Sequence, residues 1–154
     1  MSNRIIALVL AAAAGLAASG AQATTSTANM NVSIQITAGC NISVSNINFG
    51  AMPSTSLTTA QTSTSAMGGL FTYTCSPGSN TPALTAGQGS NYSGGNRMKG
   101  GTSGNFLPYA LNLPSIATFT GVAQTAQITA TIPAQTTLPT VDTYTDTVVL
   151  TLTY

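Results

Sequence analysis

Apolar and polar residues alternate with period two in several short runs, and after residue 23 no sustained apolar stripe repeats at the helical spacing. Alternation sends successive side chains to opposite sides of an extended backbone, so each run predicts a strand with one apolar face. The first run is Ala28, Met30, Val32, Ile34 and Ile36, separated by Asn29, Asn31, Ser33 and Gln35. The last is the best defined, with Val148, Leu150, Leu152 and Tyr154 on one face and Thr147, Val149, Thr151 and Thr153 on the other. Between them, strands are predicted over 40–44, 47–49, 70–75, 83–85, 107–113, 119–120 and 127–132. Pro108 bends the run at 107–113 or confines it to an edge. Loops are predicted over 53–65, 76–82, 87–104 and 133–142, and glycine content makes 87–104 the most flexible by composition. Many short strands with turn punctuation predict an all-β sandwich.

The amino-terminal residues change the picture of where the chain works. Arg4, the apolar stretch 5–16 and the small-x-small step Ala21-Gln22-Ala23 read as a secretory signal over 1–23. A membrane anchor is the competing reading, but about a dozen apolar residues fall short of the roughly 20 that span a bilayer. No cysteine follows Ala23, which argues against a lipid anchor. The expected product is an exported chain starting at residue 24, long enough for a single core.

That product carries four charged side chains: Arg97, Lys99, Asp142 and Asp146. A near-zero net charge offers no footprint for nucleic acid or an anionic membrane, and little repulsion between copies. Positive mean hydropathy and periodic apolar runs argue against disorder. Cys40 and Cys75 are the only cysteines. In an exported chain one disulfide is expected, with two free thiols the alternative.

Catalytic chemistry has little to work with. The chain contains no histidine, and Asp142 and Asp146 are its only carboxylate side chains. On one extended strand the two would stand about 13 Å apart, four rises of roughly 3.3 Å, against the roughly 5–9.5 Å of a glycosidase pair. The expectation is that both are solvated loop carboxylates. Lys99 sits among glycines with nothing predicted to desolvate its amine. Two carboxylates without histidine do not furnish zinc, and they are sparse for calcium, so no metal or cofactor is expected. The glycines at 87, 89, 100 and 101 lack the lysine and helix of a phosphate loop.

Several motifs, in order, resemble the spore coat protein U domain family, the module of subunits of archaic (Csu-type) chaperone–usher pili. After Cys40 comes Ile47-Asn48-Phe49-Gly50, similar to the family's (I/L)-x-F-G. Phe71-Thr72-Tyr73-Thr74-Cys75 resembles its second-cysteine strand. Arg97-Met98 and Leu107-Pro108-Tyr109-Ala110-Leu111 resemble its R-M step and L-x-Y-x-L strand. Ile132-Pro133-Ala134-Gln135 is similar to its I-P-A-Q turn, and the end from Tyr144 to Tyr154 to Y-x-D-T-V-x-V-T-V-x-Y. There are departures: Asp142 stands where the family usually has glycine, and 87–104 is unusually glycine-rich.

The resemblance implies an incomplete immunoglobulin-like β-sandwich that lacks its last strand. It divides the chain into a signal (1–23), a donor-strand extension (24–37) and a pilin domain (38–154). Ala28, Met30, Val32, Ile34 and Ile36 become the donated strand. Val148, Leu150, Leu152 and Tyr154 help form the acceptor cleft. The implied partners are copies of the chain or related pilins, a periplasmic chaperone and an outer-membrane usher, with no nucleic acid and no small-molecule substrate. The implied location is the periplasm during assembly and the cell surface afterwards. The physics agrees: an open apolar edge is an aggregation hazard, and strand addition satisfies it. Five inserted side chains give on the order of 10 kcal/mol before ordering costs. Head-to-tail donation does not close, so it builds a filament. The alternatives are a coat or surface structural protein assembling without an usher, and a monomeric ligand-binding sandwich poorly served by a chain without tryptophan.

Overall fold

The computed structural model describes residues 24–78 and 82–154, so the expected signal at 1–23 lies outside the described residues. The chain separates into two units between Gln35 and Ile36. Within the first, residues 24–35 contain no strand. The alternation at 28–36 predicts one, but extended backbone becomes a strand only through a ladder of partner hydrogen bonds. Met30, Val32, Ile34 and Ile36 are each 84–85% exposed.

The second unit is all-β and antiparallel. Its strands are β1 (Cys40–Val44), β2 (Gln61–Thr62), β3 (Leu70–Cys75), β4 (Ala83–Ala86), β5 (Arg97–Gly100) and β6 (Phe106–Pro108), followed by β7 (Ala110–Asn112), β8 (Gln124–Gln127), β9 (Thr129–Ile132), β10 (Tyr144–Thr145) and β11 (Leu150–Thr153). Two short 3-10 turns, Ser54–Thr58 and Ser65–Met67, stand before and after β2. The ladders run β1-β3-β8, β2-β9-β7, β10-β5-β6 and β11-β4.

Long segments join these ladders into a sandwich. Residues 124–132 pair with β3 in their first half and with β7 and β2 in their second. Residues 144–153 likewise serve β5 and then β4. The 106–112 segment pairs with β5 and then with β9, so it crosses between sheets at Tyr109. Pro108 therefore marks a bend, as the sequence predicts. A strand that changes sheets at a bend is how sandwich corners are built.

Apolar faces meet in two clusters. Phe71, Tyr73, Cys75, Phe119, Ile128 and Leu152 form one, with the Tyr73 and Phe119 rings edge to face at 6.0 Å. Leu57, Leu107 and Ile132 form the other, with Phe49, Met52, Met98, Tyr109 and Tyr144 packed against it. Cys40 is bonded to Cys75 directly across the β1–β3 ladder, with Cα atoms 4.1 Å apart. The expected disulfide is present.

Some predicted elements differ. Residues 47–49 and 119–120 are not strands. Asn48 N–H donates to Met67 O at 2.8 Å, one isolated bond where a strand needs a ladder, and Phe119 is a buried anchor in a loop. β2, β5 and β10 lie outside the predicted strands, and β8 overlaps the predicted 127–132 strand at Gln127 alone. β5 falls inside the segment read as the most flexible loop, because glycine content hides a short strand paired on both sides.

Candidate functional site

Among the described residues, the carboxy-terminal segment 143–153 is bonded along one edge. Gly101, Ser90 and Gly87 N–H groups donate to the carbonyls of Thr143, Thr147 and Val149 at 3.1, 3.0 and 2.8 Å. All three acceptors are odd-numbered and point toward β4 and β5. Backbone groups of neighbouring residues in an extended chain point to opposite edges. Tyr144, Asp146, Val148, Leu150 and Leu152 therefore present theirs to the other edge. Among the described residues no strand pairs there, since β10 meets only β5 and β11 meets only β4.

β1 has the same character. It stands at the end of its ladder and, among the described residues, pairs with β3 alone. Ser45 continues that pairing, donating N–H to Leu70 O at 3.0 Å and accepting from Gly69 N–H at 3.2 Å. The even-numbered residues Ile42 and Val44 thus direct their backbone outward.

Between these two edges runs a groove of about 600 Å³. One wall is 44–49 and the other is 143–148 with Leu150; Met98, Tyr109, Leu111, Ile128 and Ala130 form the floor. A second hollow of about 510 Å³ shares Ile47, Asn48, Phe49, Met98, Thr143 and Tyr144 with the first and continues between 50–54 and 139–142. The floor is apolar and comes from the strands that join the two clusters.

The row Val148, Leu150, Leu152 and Tyr154 divides. Val148 and Leu150 line the groove. Leu152 is buried in the first cluster and Tyr154 is 42% exposed at the chain end. The inward face of the segment is the even-numbered one, and Val149 on the outer face is 68% exposed. Ala28, Met30, Val32, Ile34 and Ile36 are all exposed. Sequence reasoning did not find the wall at 44–49; the apolar residues Val44, Ile47 and Phe49 around a poor strand pattern were the available signal.

The two aspartates correct an expectation. Neither is a bare solvated carboxylate. Asp146 Oδ1 accepts from Asn91 N–H at 3.1 Å and from Asn91 Nδ2 at 3.0 Å, and its Oδ2 accepts from Tyr109 OH at 2.8 Å. Burial, then the Asp146 hydrogen bond and charge, push the Tyr109 phenol well above its ordinary pKa. Asp142 Oδ2 accepts from Ser103 N–H at 2.6 Å and Thr102 N–H at 3.0 Å, while Oδ1 accepts from Thr143 N–H at 2.7 Å. The Ser103 backbone, then its hydroxyl, with help from Thr143 and Thr102, lowers Asp142 to about 2. Both carboxylates sit against glycines of the 87–104 segment. A Cβ on Gly89 would collide with the Asp146 carboxylate, and one on Gly100 would lie 2.6 Å from Asp142 Oδ2. These glycines serve close approach, not looseness.

Arg97 faces neither carboxylate as an ion pair: its Nε donates to Asn91 O at 2.6 Å and its guanidinium lies 3.8 Å from the centre of the Phe106 ring. The geometry is that of a surface for an extended chain. It supplies hydrogen-bonding edges on both sides and apolar ground between them.

No curated protein matches the chain at a significant level. The family model of the Spore Coat Protein U domain matches residues 26–116, more than half of the chain. The match spans Cys40, Cys75 and the 97–98 and 107–111 motifs, and stops before the 132–135 and 144–154 segments. The chain belongs to the Spore Coat Protein U domain family, a family of surface and coat-like structural proteins.

Proposed function

We propose that the chain is a structural subunit of a surface pilus and polymerises by donor-strand exchange after chaperone-assisted export. In this reading the domain lacks its last strand. The 28–36 segment of one copy enters the groove of the next, laying Ala28, Met30, Val32, Ile34 and Ile36 on the apolar floor. A periplasmic chaperone holds the groove beforehand and an outer-membrane usher directs the exchange, so the product is a fibre on the cell surface. The observation that carries the reading is an apolar groove flanked by two unpaired strand edges. The divided core supports it as well, since a domain ordinarily has one contiguous core and here the groove runs over two clusters. An alternating segment with its apolar side chains exposed matches in character what such a groove takes.

The test is removal of residues 24–36 from the exported chain. The intact chain is expected to form polymers in size exclusion. The shortened chain is expected to form none and to stay folded only when a chaperone or the synthetic 24–37 peptide is supplied. A shortened chain that is a stable free monomer overturns the reading.

A further inference from the structure

The inward row of the carboxy-terminal wall reads Tyr144, Asp146, Val148, Leu150, Leu152, and Asp146 is its one ionisable carboxylate. It lies between Tyr144, which packs on the second cluster, and Leu150, which packs on the first. A carboxylate in this position faces an apolar groove and costs free energy unless its oxygens are occupied. They are occupied from two directions. Tyr109, at the bend where 106–112 changes sheets, holds Oδ2 from the floor. Asn91 holds Oδ1 with both its backbone and its side-chain N–H groups from the β4–β5 loop.

That loop is itself braced. Gly89 N–H donates to Asn96 Oδ1 at 3.1 Å, Arg97 Nε donates to Asn91 O, and Gly89 leaves the space the carboxylate fills. The bracing comes where regular pairing fails. β10 pairs with β5 and β11 with β4, but 146–149 between them lies in neither strand. Along that gap the Asp146 side chain reaches across to floor and loop alike.

We propose that Asp146, through Tyr109 and Asn91, is the positioning residue of the acceptor groove: it pins the carboxy-terminal wall at its midpoint so that the backbone of 144–148 stands ready to pair with an incoming strand. The proposal rests on the donor-strand reading and adds which residues hold the wall in register. A fluctuating edge loses ordering entropy when it pairs, whereas a pinned edge has lost it beforehand, so pinning acts on strand capture more than on the stability of the filled domain.

The experiment follows uptake of a fluorescent 24–37 peptide, in large excess over the copies' own amino-terminal segments, by the exported chain as it refolds from denaturant, beside the thermal midpoint of the peptide-filled protein. Asp146→Asn, Tyr109→Phe and Gly89→Ala are compared with the unaltered chain. Tyr109→Phe removes only a hydroxyl and guards against simple misfolding in the others. Each variant is expected to slow uptake about tenfold while the filled midpoint moves by less than about 3 °C, a shift worth under about 1 kcal/mol in a domain of this size. Asp146→Asn combined with Tyr109→Phe is expected to be no slower than the worse single variant, because both break one contact chain. Unchanged uptake in Tyr109→Phe and Asp146→Asn overturns the proposal, as does slowing that merely tracks lost stability. An unaltered chain that takes up no peptide overturns the donor-strand reading and this inference with it.

Discussion

Val44 lies directly opposite Phe71 in the β1–β3 ladder, on the same face of the sheet, yet Phe71 is 1% exposed and Val44 48%. The pair before it repeats the asymmetry, with Tyr73 buried and Ile42 half-exposed. Directly opposed residues share a face and ordinarily share its cover. Here the cover ends between β3 and β1. The inner strand is roofed by the sandwich and the edge strand is not.

Val44→Asp is therefore expected to cut assembly at least about tenfold by placing a charge where an apolar strand would lie. Val149→Asp, on the outer face of the opposite wall, should leave assembly within about twofold, since exposed substitutions cost little. Sedimentation of polymers from equal amounts of each chain decides it.

On the donor side, Ile34→Asp should stop polymerisation when it is the only subunit present, whereas Gln35→Asp, on the alternate face, should slow it by no more than about threefold. Mixing Ile34→Asp with unaltered chain should shorten fibres in electron micrographs, because an altered copy accepts a strand and donates none.

The Cys40–Cys75 bond holds the uncovered edge strand to the roofed one. Replacing both cysteines by serine should lower stability by about 3–4 kcal/mol, the chain-entropy value for a loop of this size. Denaturant unfolding of the peptide-filled domain measures this. The loss should be accompanied by hydrogen exchange concentrated in β1.

Acid should loosen the turn that Asp142 holds. The folded pKa of this carboxyl is depressed from 3.8 to about 2 by the Ser103 backbone N–H, the Ser103 hydroxyl and the neighbouring N–H groups. A depressed carboxylate contributes stability that is complete above its unfolded pKa and is lost as pH falls through the folded one. The 101–105 turn should stay protected above about pH 4 and loosen between about pH 4 and pH 2, read by amide exchange at Thr102 and Ser103. Asp142→Asn should abolish that pH dependence.

Strand positions were legible wherever alternation ran long enough to bury one face. The pattern at 40–44 and 70–75 predicts β1 and β3 with their observed bounds, and the end of the chain yields β11. β5 was hidden because Arg97–Gly100 offers one apolar residue, Met98, inside a glycine-rich run. The strand exists because β6 and β10 flank it. The aspartates misled for a related reason: apart from the adjacent Thr143 N–H, the groups that hold them are backbone N–H groups, an asparagine and a tyrosine hydroxyl 37 to 55 positions away, which no local pattern announces. The carboxy-terminal wall could be read from Val148 and Leu150. The opposite wall could not, since Asn48 is held by one bond to Met67 while Ile47 and Phe49 are placed by packing on the two clusters.

The facing edges of β1 and the carboxy-terminal segment have a further consequence for any strand that settles between them. Such a strand gains a ladder on each flank and becomes the middle of a continuous sheet. Tension applied along its length would load both ladders in shear, so many bonds would have to break together. A joint built this way resists pulling far better than one whose bonds open singly like a zip.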